Sequence, residues 1–203
     1  MSVVKLDGRR EAFSVEKLRG SVERAAAEVG VSIDGVVDFV VDREVGSWEL
    51  ADMVHVELLR GAIDRPEFAE VAKAHLLGRV YKEVFGKEFL KSGGDYGEYA
   101  RAAFRRLVES GVVRGEAFEL LSRLGVDSEF DRRLSYNALR LFVNGNYALR
   151  RPDFSLGETP AMAAARVATA VARDLEWAGV YYRYITGLRL VPASPYWFNA
   201  WTG

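Results

Sequence analysis

The chain has 203 residues, 49% of them hydrophobic and 28% charged, enough for one large domain or two small ones with a real core. Its 28 Lys plus Arg against 29 Asp plus Glu give a net charge of −1, which argues against a dedicated nucleic-acid binder. It has no cysteine and only two histidines, His55 and His75, which excludes disulfides, thiolate metal sites, iron–sulfur clusters and histidine-rich metal centres in this chain. No apolar run approaches the roughly 20 residues a membrane span needs. Asp7, Arg9, Arg10 and Glu11 stand where a signal peptide would be apolar, so the expectation is a cytoplasmic protein without a membrane partner. Glutamine is absent and asparagine scarce, a thermophile-like habit that speaks to source and not to function.

In chain order, Asp7-Gly8 between Val3–Leu6 and Arg10–Phe13 predicts a β-hairpin. Ser14 reads as the N-cap of a helix carrying Val15, Leu18, Val22, Ala25, Ala26 and Val29, stopped by Gly30. Ser32 or Asp34 starts a short second helix through Val41. Ser47 reads as the cap of a third, with Leu50, Met53, Val54, Leu58 and Ala62 on one face. Pro66 suits the first position of a fourth, striped by Phe68, Val71, Ala72, Leu76, Val80 and Val84 and ended by Gly86.

Lys91–Gly97 holds three glycines in a polar stretch and marks a boundary. Beyond it, helices are expected around Ala100–Val108, Phe118–Leu124 and Tyr136–Val143. Another opens at Thr159-Pro160 and runs to about Arg173, and a last one covers Trp177–Ile185. Val191–Pro195 reads as irregular or briefly extended. No internal repeat or low-complexity segment is present.

One arrangement suggests chemistry. Lys5 on the first strand, Glu11 on the second and Lys17 in the next helix's first turn would meet if the hairpin folds over that helix end. Lysines and helix N-termini favour phosphate, and the carboxylate can accept from a base amino group or a ribose hydroxyl. On spacing alone, the plainer reading is a solvated strand face with a surface lysine. His55 and His75 read as structural core histidines. Asp38 with Asp42, and the pairs Arg105-Arg106 and Arg132-Arg133, read as solvated surface. No Walker-type loop, nucleophile elbow or metal-ligand spacing occurs. Tyr196, Trp197, Phe198 and Trp201 form an aromatic tail that wants cover from its own domain, a partner or a longer polypeptide.

The run Val4-Lys5-Leu6-Asp7-Gly8-Arg9-Arg10-Glu11-Ala12-Phe13-Ser14-Val15-Glu16-Lys17-Leu18 resembles the ATP-cone domain of ribonucleotide reductase large subunits. Leu134–Leu139, Asn146–Arg150, Glu158-Thr159-Pro160, Arg166-Val167-Ala168 and Pro192-Ala193-Ser194-Pro195 with Phe198-Asn199-Ala200 resemble signatures of the same enzyme's helical N-terminal region, in the family's order. The resemblance implies a mainly α chain: an ATP-cone, with a small β-hairpin lid on a four-helix bundle, followed by a second helical segment. The implied domains are the cone at 1–90, a linker at 91–98 and the reductase helical region at 99–203.

By resemblance, an effector nucleotide, ATP or dATP with Mg²⁺, binds at Lys5, Glu11, Lys17 and Ser47, the last where the family often has a nucleotide-contacting threonine. Ser194 matches a hydroxyl that lies beside the substrate phosphate in the full enzyme. Leu6, Ala51 and Glu83 depart from cationic or polar residues found in other members, and Trp201 from a usual glycine. Ribonucleotide reduction needs a thiyl radical and a dithiol. A chain without cysteine therefore holds no catalytic residue of its own and is not catalytic alone. The implied function is the N-terminal regulatory part of a ribonucleoside-diphosphate reductase, partnered by its catalytic remainder through the aromatic tail, with homo-oligomerisation left open. Two alternatives stand beside it. One is a non-catalytic helical interaction protein whose degenerate cone binds no nucleotide. The other is a nucleotide-responsive repressor, which would carry a cysteine zinc ribbon that this chain lacks.

Overall fold

The structure, a computed structural model, describes residues 2–5, 8–33, 41 and 43–202. Among the described residues the chain is mainly α with one small three-stranded sheet, and it divides into two compact units, residues 1–78 and 79–203.

In the first unit, β1 (Ser2–Val4) pairs antiparallel with β2 (Arg10–Ala12) and parallel with β3 (Val45–Gly46). The Lys5 amide donates to the Arg9 carbonyl at 2.8 Å and extends the ladder by one rung. Gly8 closes the turn at φ 77°, a conformation that costs a side chain-bearing residue energy and glycine nothing. Helix α1 (Val15–Glu28) is capped by Ser14, whose Oγ accepts from the Lys17 amide. It buries Leu18, Val22, Ala25 and Ala26, the stripe its 3.6-residue period predicts. Helix α2 (Ser47–Gly61) follows β3 directly, and α3 spans Glu67–Phe85, with the division between the units falling inside it. Val3, Val41 and Val45 form an apolar cluster under the sheet, with Phe13 and Leu50 against it. His55 and His75 are buried and joined, Nε2 to Nδ1, at 3.0 Å; Ser21 Oγ lies 3.3 Å from His75 Nε2. That chain ties α1, α2 and α3 together, the structural role expected of both histidines.

The second unit contains α4 (Lys87–Ser92), α5 (Tyr96–Glu109), α6 (Ala117–Arg123), α7 (Glu129–Arg133), α8 (Tyr136–Asn144), α9 (Pro160–Val171), α10 (Leu175–Thr186) and α11 (Ser194–Asn199). Helix α9 is its axis. Residues Pro160 through Thr169 are all buried, and α6, α7, α10 and α11 pack on it. Its alanines let neighbours approach closely, since interaxial distance follows side-chain size at the contact. Tyr81, Phe85, Phe89, Tyr96 and Tyr99 form one aromatic cluster with ring centroids 4.9–6.2 Å apart.

Some local expectations differ from the structure. Ser47 is the first residue of α2, not its cap. Gly46 holds the cap position, and its amide reaches Glu49 Oε2 at 3.4 Å. The cap residue is extended because it closes β3, a two-residue strand too short to show a period. Of the Val191–Pro195 stretch, 191–193 are irregular as expected, but Ser194 and Pro195 open α11, where Pro195 near the helix start pre-sets the turn. Pro66 sits one residue before α3. Around the expected linker, Lys91 and Ser92 close α4, Gly93 caps it at φ 60°, and Asp95 caps α5 through the Glu98 amide. The Leu6-Asp7 part of the hairpin turn, most of the helix expected before Val41, and the Asp38–Asp42 pair lie outside the described residues.

Candidate functional site

Lys5, Glu11 and Lys17 come together for a reason of register. Val3 lies opposite Glu11 across the antiparallel pair, and Lys5 is two residues beyond Val3. Residues two apart share a face, so Lys5 and Glu11 form a diagonal pair on the face that carries the buried Val3. Lys5 Nζ sits 3.2 Å from Glu11 Oε2. Lys17, one turn into α1, brings its Nζ to 3.6 Å of the same oxygen. One carboxylate oxygen therefore faces two ammonium groups, and the trio keeps a net positive charge. The hydrogen-bonded Lys5 ammonium first, and then Lys17, hold the Glu11 carboxyl below its usual range. The side chains are 31%, 36% and 74% exposed for Lys5, Glu11 and Lys17, so the group is open to solvent.

Ser47 joins by backbone placement. Val4 pairs with Gly46 in the parallel ladder, so the next residues, Lys5 and Ser47, leave the sheet from the same end. Glu49, paired with Arg43, closes the start of α2. Ala51, one turn on, is 1% exposed, and nothing cationic stands there.

Ser194 belongs to the second unit. Its Oγ lies 3.2 Å from the Tyr147 hydroxyl, and Tyr147 packs on Phe198 with centroids 5.1 Å apart. The segment is held from below by a buried ion pair. Arg166 donates to both oxygens of Glu158, at 2.8 and 2.9 Å, and to the carbonyls of Trp197 at 2.7 Å and Ala200 at 2.9 Å. Glu158 also accepts from the Leu149 amide at 2.9 Å. One pair thus fixes both the strand of chain bearing Tyr147 and the turn bearing Ser194. The aromatic tail splits accordingly. Trp197 donates to the Pro192 carbonyl and Trp201 to Thr169 Oγ1, while Tyr196 and Phe198 stay exposed. Trp201 holds φ 60°, the left-handed conformation that glycine adopts most readily.

A second buried node was not legible in the sequence. Asp131 accepts from Tyr96 at 2.6 Å, Tyr81 at 3.2 Å and the Ala161 amide at 2.6 Å, and Thr159 bonds Tyr96 in turn. Burial raises its carboxyl to about 6, against the pull of those donors. Burial likewise pushes both tyrosine hydroxyls up, so they remain donors. Glu83, read as a departure from a phosphate-facing lysine, accepts from the Leu156 amide at 2.6 Å. Arg106 is used by the Val84 carbonyl and Arg133 by that of Thr186. A cleft of about 170 Å³ opens beside Asp95, Arg101, Leu121 and Asp127, and none of the five candidate residues lines it.

The family model described as ATP cone domain matches residues 1–83, and that of the ribonucleotide reductase all-alpha domain matches residues 132–203. The chain is therefore a regulatory cone joined to a reductase helical domain. It belongs to the ribonucleotide reductase large-subunit family and carries the domains of its N-terminal part. No helix among the described residues is long and apolar enough to cross a membrane.

Proposed function

We propose that the cone binds an adenine nucleoside triphosphate, ATP or dATP with Mg²⁺, as an allosteric effector of ribonucleoside-diphosphate reduction. The observation that carries this is the meeting of two ammonium groups at one carboxylate oxygen, within the stretch matched as an ATP cone. Lys5 and Lys17 donate to phosphate oxygens, where charge-assisted bonds are strongest. Glu11 accepts from the base amino group or a ribose hydroxyl, and Ser47 adds a hydroxyl beside Lys5. Mg²⁺ travels with the triphosphate; the described residues include no group of three or more His, Cys, Asp or Glu that would hold it alone. Ser194 stands beside the substrate phosphate once the catalytic remainder, which supplies the cysteines, is joined to this part. That assembly takes place in the cytoplasm.

Calorimetric titration with ATP and dATP in Mg²⁺ tests the reading. Saturable micromolar binding, lost in Lys17→Ala, is expected; no binding at millimolar nucleotide overturns it. The second reading, a helical interaction protein with a degenerate cone, draws on the buried Ala51 and on the Glu83 carboxylate occupied by Leu156. It requires that wild type and Lys17→Ala behave alike.

A further inference from the structure

Neither lysine of the candidate site offers its charge freely. Both ammonium groups already face an anion, Glu11 Oε2, at 3.2 and 3.6 Å. A phosphate oxygen that takes two ammonium donors would need the place this oxygen fills. We propose that Glu11 is a resident anion in the polyphosphate seat, and that a triphosphate enters by exchange for its carboxylate. The inference rests on the effector-site reading and adds to it a built-in competitor.

The physical case is one of charge and exposure. Both ion pairs are open to water, which screens them and leaves each partner weakly held. A carboxylate held this weakly leaves readily, yet it lowers the affinity of any anion that must displace it. A triphosphate brings more negative charge and more acceptor oxygens to the same two ammonium groups, so exchange favours it. The displaced carboxylate is then free to accept from the nucleoside. An inorganic chain lacks that partner and pays for the displacement without return. The exchange thereby biases the seat toward nucleotides over bare polyphosphate.

Inorganic tripolyphosphate is the discriminating probe, titrated beside ATP into wild type, Glu11→Gln and Glu16→Gln. Glu16 sits in the same helical turn and bonds Ser14 Oγ at 2.8 Å, so its substitution removes an equal charge nearby from a group bonded to Ser14. The expected result is tripolyphosphate binding about three- to tenfold tighter in Glu11→Gln, a smaller gain in Glu16→Gln, and a reduced preference for ATP over tripolyphosphate in Glu11→Gln. The gain disappears when Lys5 and Lys17 are both replaced by alanine. Circular dichroism melts establish that each variant is folded. Unchanged or weaker tripolyphosphate binding in folded Glu11→Gln, or an equal gain in Glu16→Gln, overturns the exchange while ATP binding by wild type upholds the effector site. If no form binds ATP at millimolar concentration, the effector reading fails and the exchange fails with it.

Discussion

The two units hold their charges in opposite ways. In the cone, Lys5, Glu11 and Lys17 meet at the surface, where water screens each pair and each partner can leave. In the helical unit, Glu158 and Arg166 are fully buried, every contact is short, and three backbone groups from two separate segments complete the set. Desolvation makes such a pair costly to form and costlier to break. The contrast separates exchangeable charge from architectural charge. An effector site of the kind proposed needs the first, and the segment that carries Ser194 is held by the second.

Breaking the architectural pair gives the largest expected effect. Arg166→Met leaves Glu158 buried without its cation and should cost about 3–5 kcal/mol, read from urea denaturation. The double variant Glu158→Leu/Arg166→Met should recover only part, because Leu149, Trp197 and Ala200 still lose their partners. Full recovery would make the pair dispensable and blur the contrast.

Asp131 sharpens it through pH. Its folded carboxyl is raised to about 6 from an ordinary 3.8, so the folded state holds a proton that the unfolded chain has released. Stability from this group is full below about pH 4 and is lost as pH rises through 6, a decline on the order of 3 kcal/mol. Asp131→Asn should flatten that slope in denaturation curves taken across pH 4–7. An unchanged slope would mean that the node does not titrate in this window.

Smaller effects belong to the cone. Ser14→Ala removes the cap of α1 and should lower stability by about 1 kcal/mol in a thermal melt. Lys17→Ala should change stability by less than about 1 kcal/mol while abolishing ATP binding. A large stability loss there would place Lys17 in the architectural class.

The cone was the more legible half. A hairpin turn at Gly8, a Ser14 cap and a 3.6-residue apolar stripe are local signals, and the structure follows them. Strand register then carries Lys5 and Glu11 to one face, a consequence of period two that spacing already suggested. Ser47 was harder, because a two-residue strand has no period and its neighbour is set by a parallel pairing from far along the chain. In the helical unit, apolar spacing marked the helices locally, while the Ser135 and Asp174 caps that start two of them became visible only in the structure. The same sequence gives no sign that Asp131 gathers Tyr81, Tyr96 and Ala161, which lie 30 to 50 residues away.

By itself the sequence determined the mainly helical class, the caps and stripes of its longer helices, the family and the want of any cysteine chemistry in this chain. These depend on neighbours three or four residues apart, or on composition. Only the tertiary structure decided which charges are buried and which exposed, that Arg166 binds the turn carrying Ser194, and that one oxygen of Glu11 serves two lysines. Those facts depend on packing between distant segments, where burial changes the energy of a charge more than its identity does.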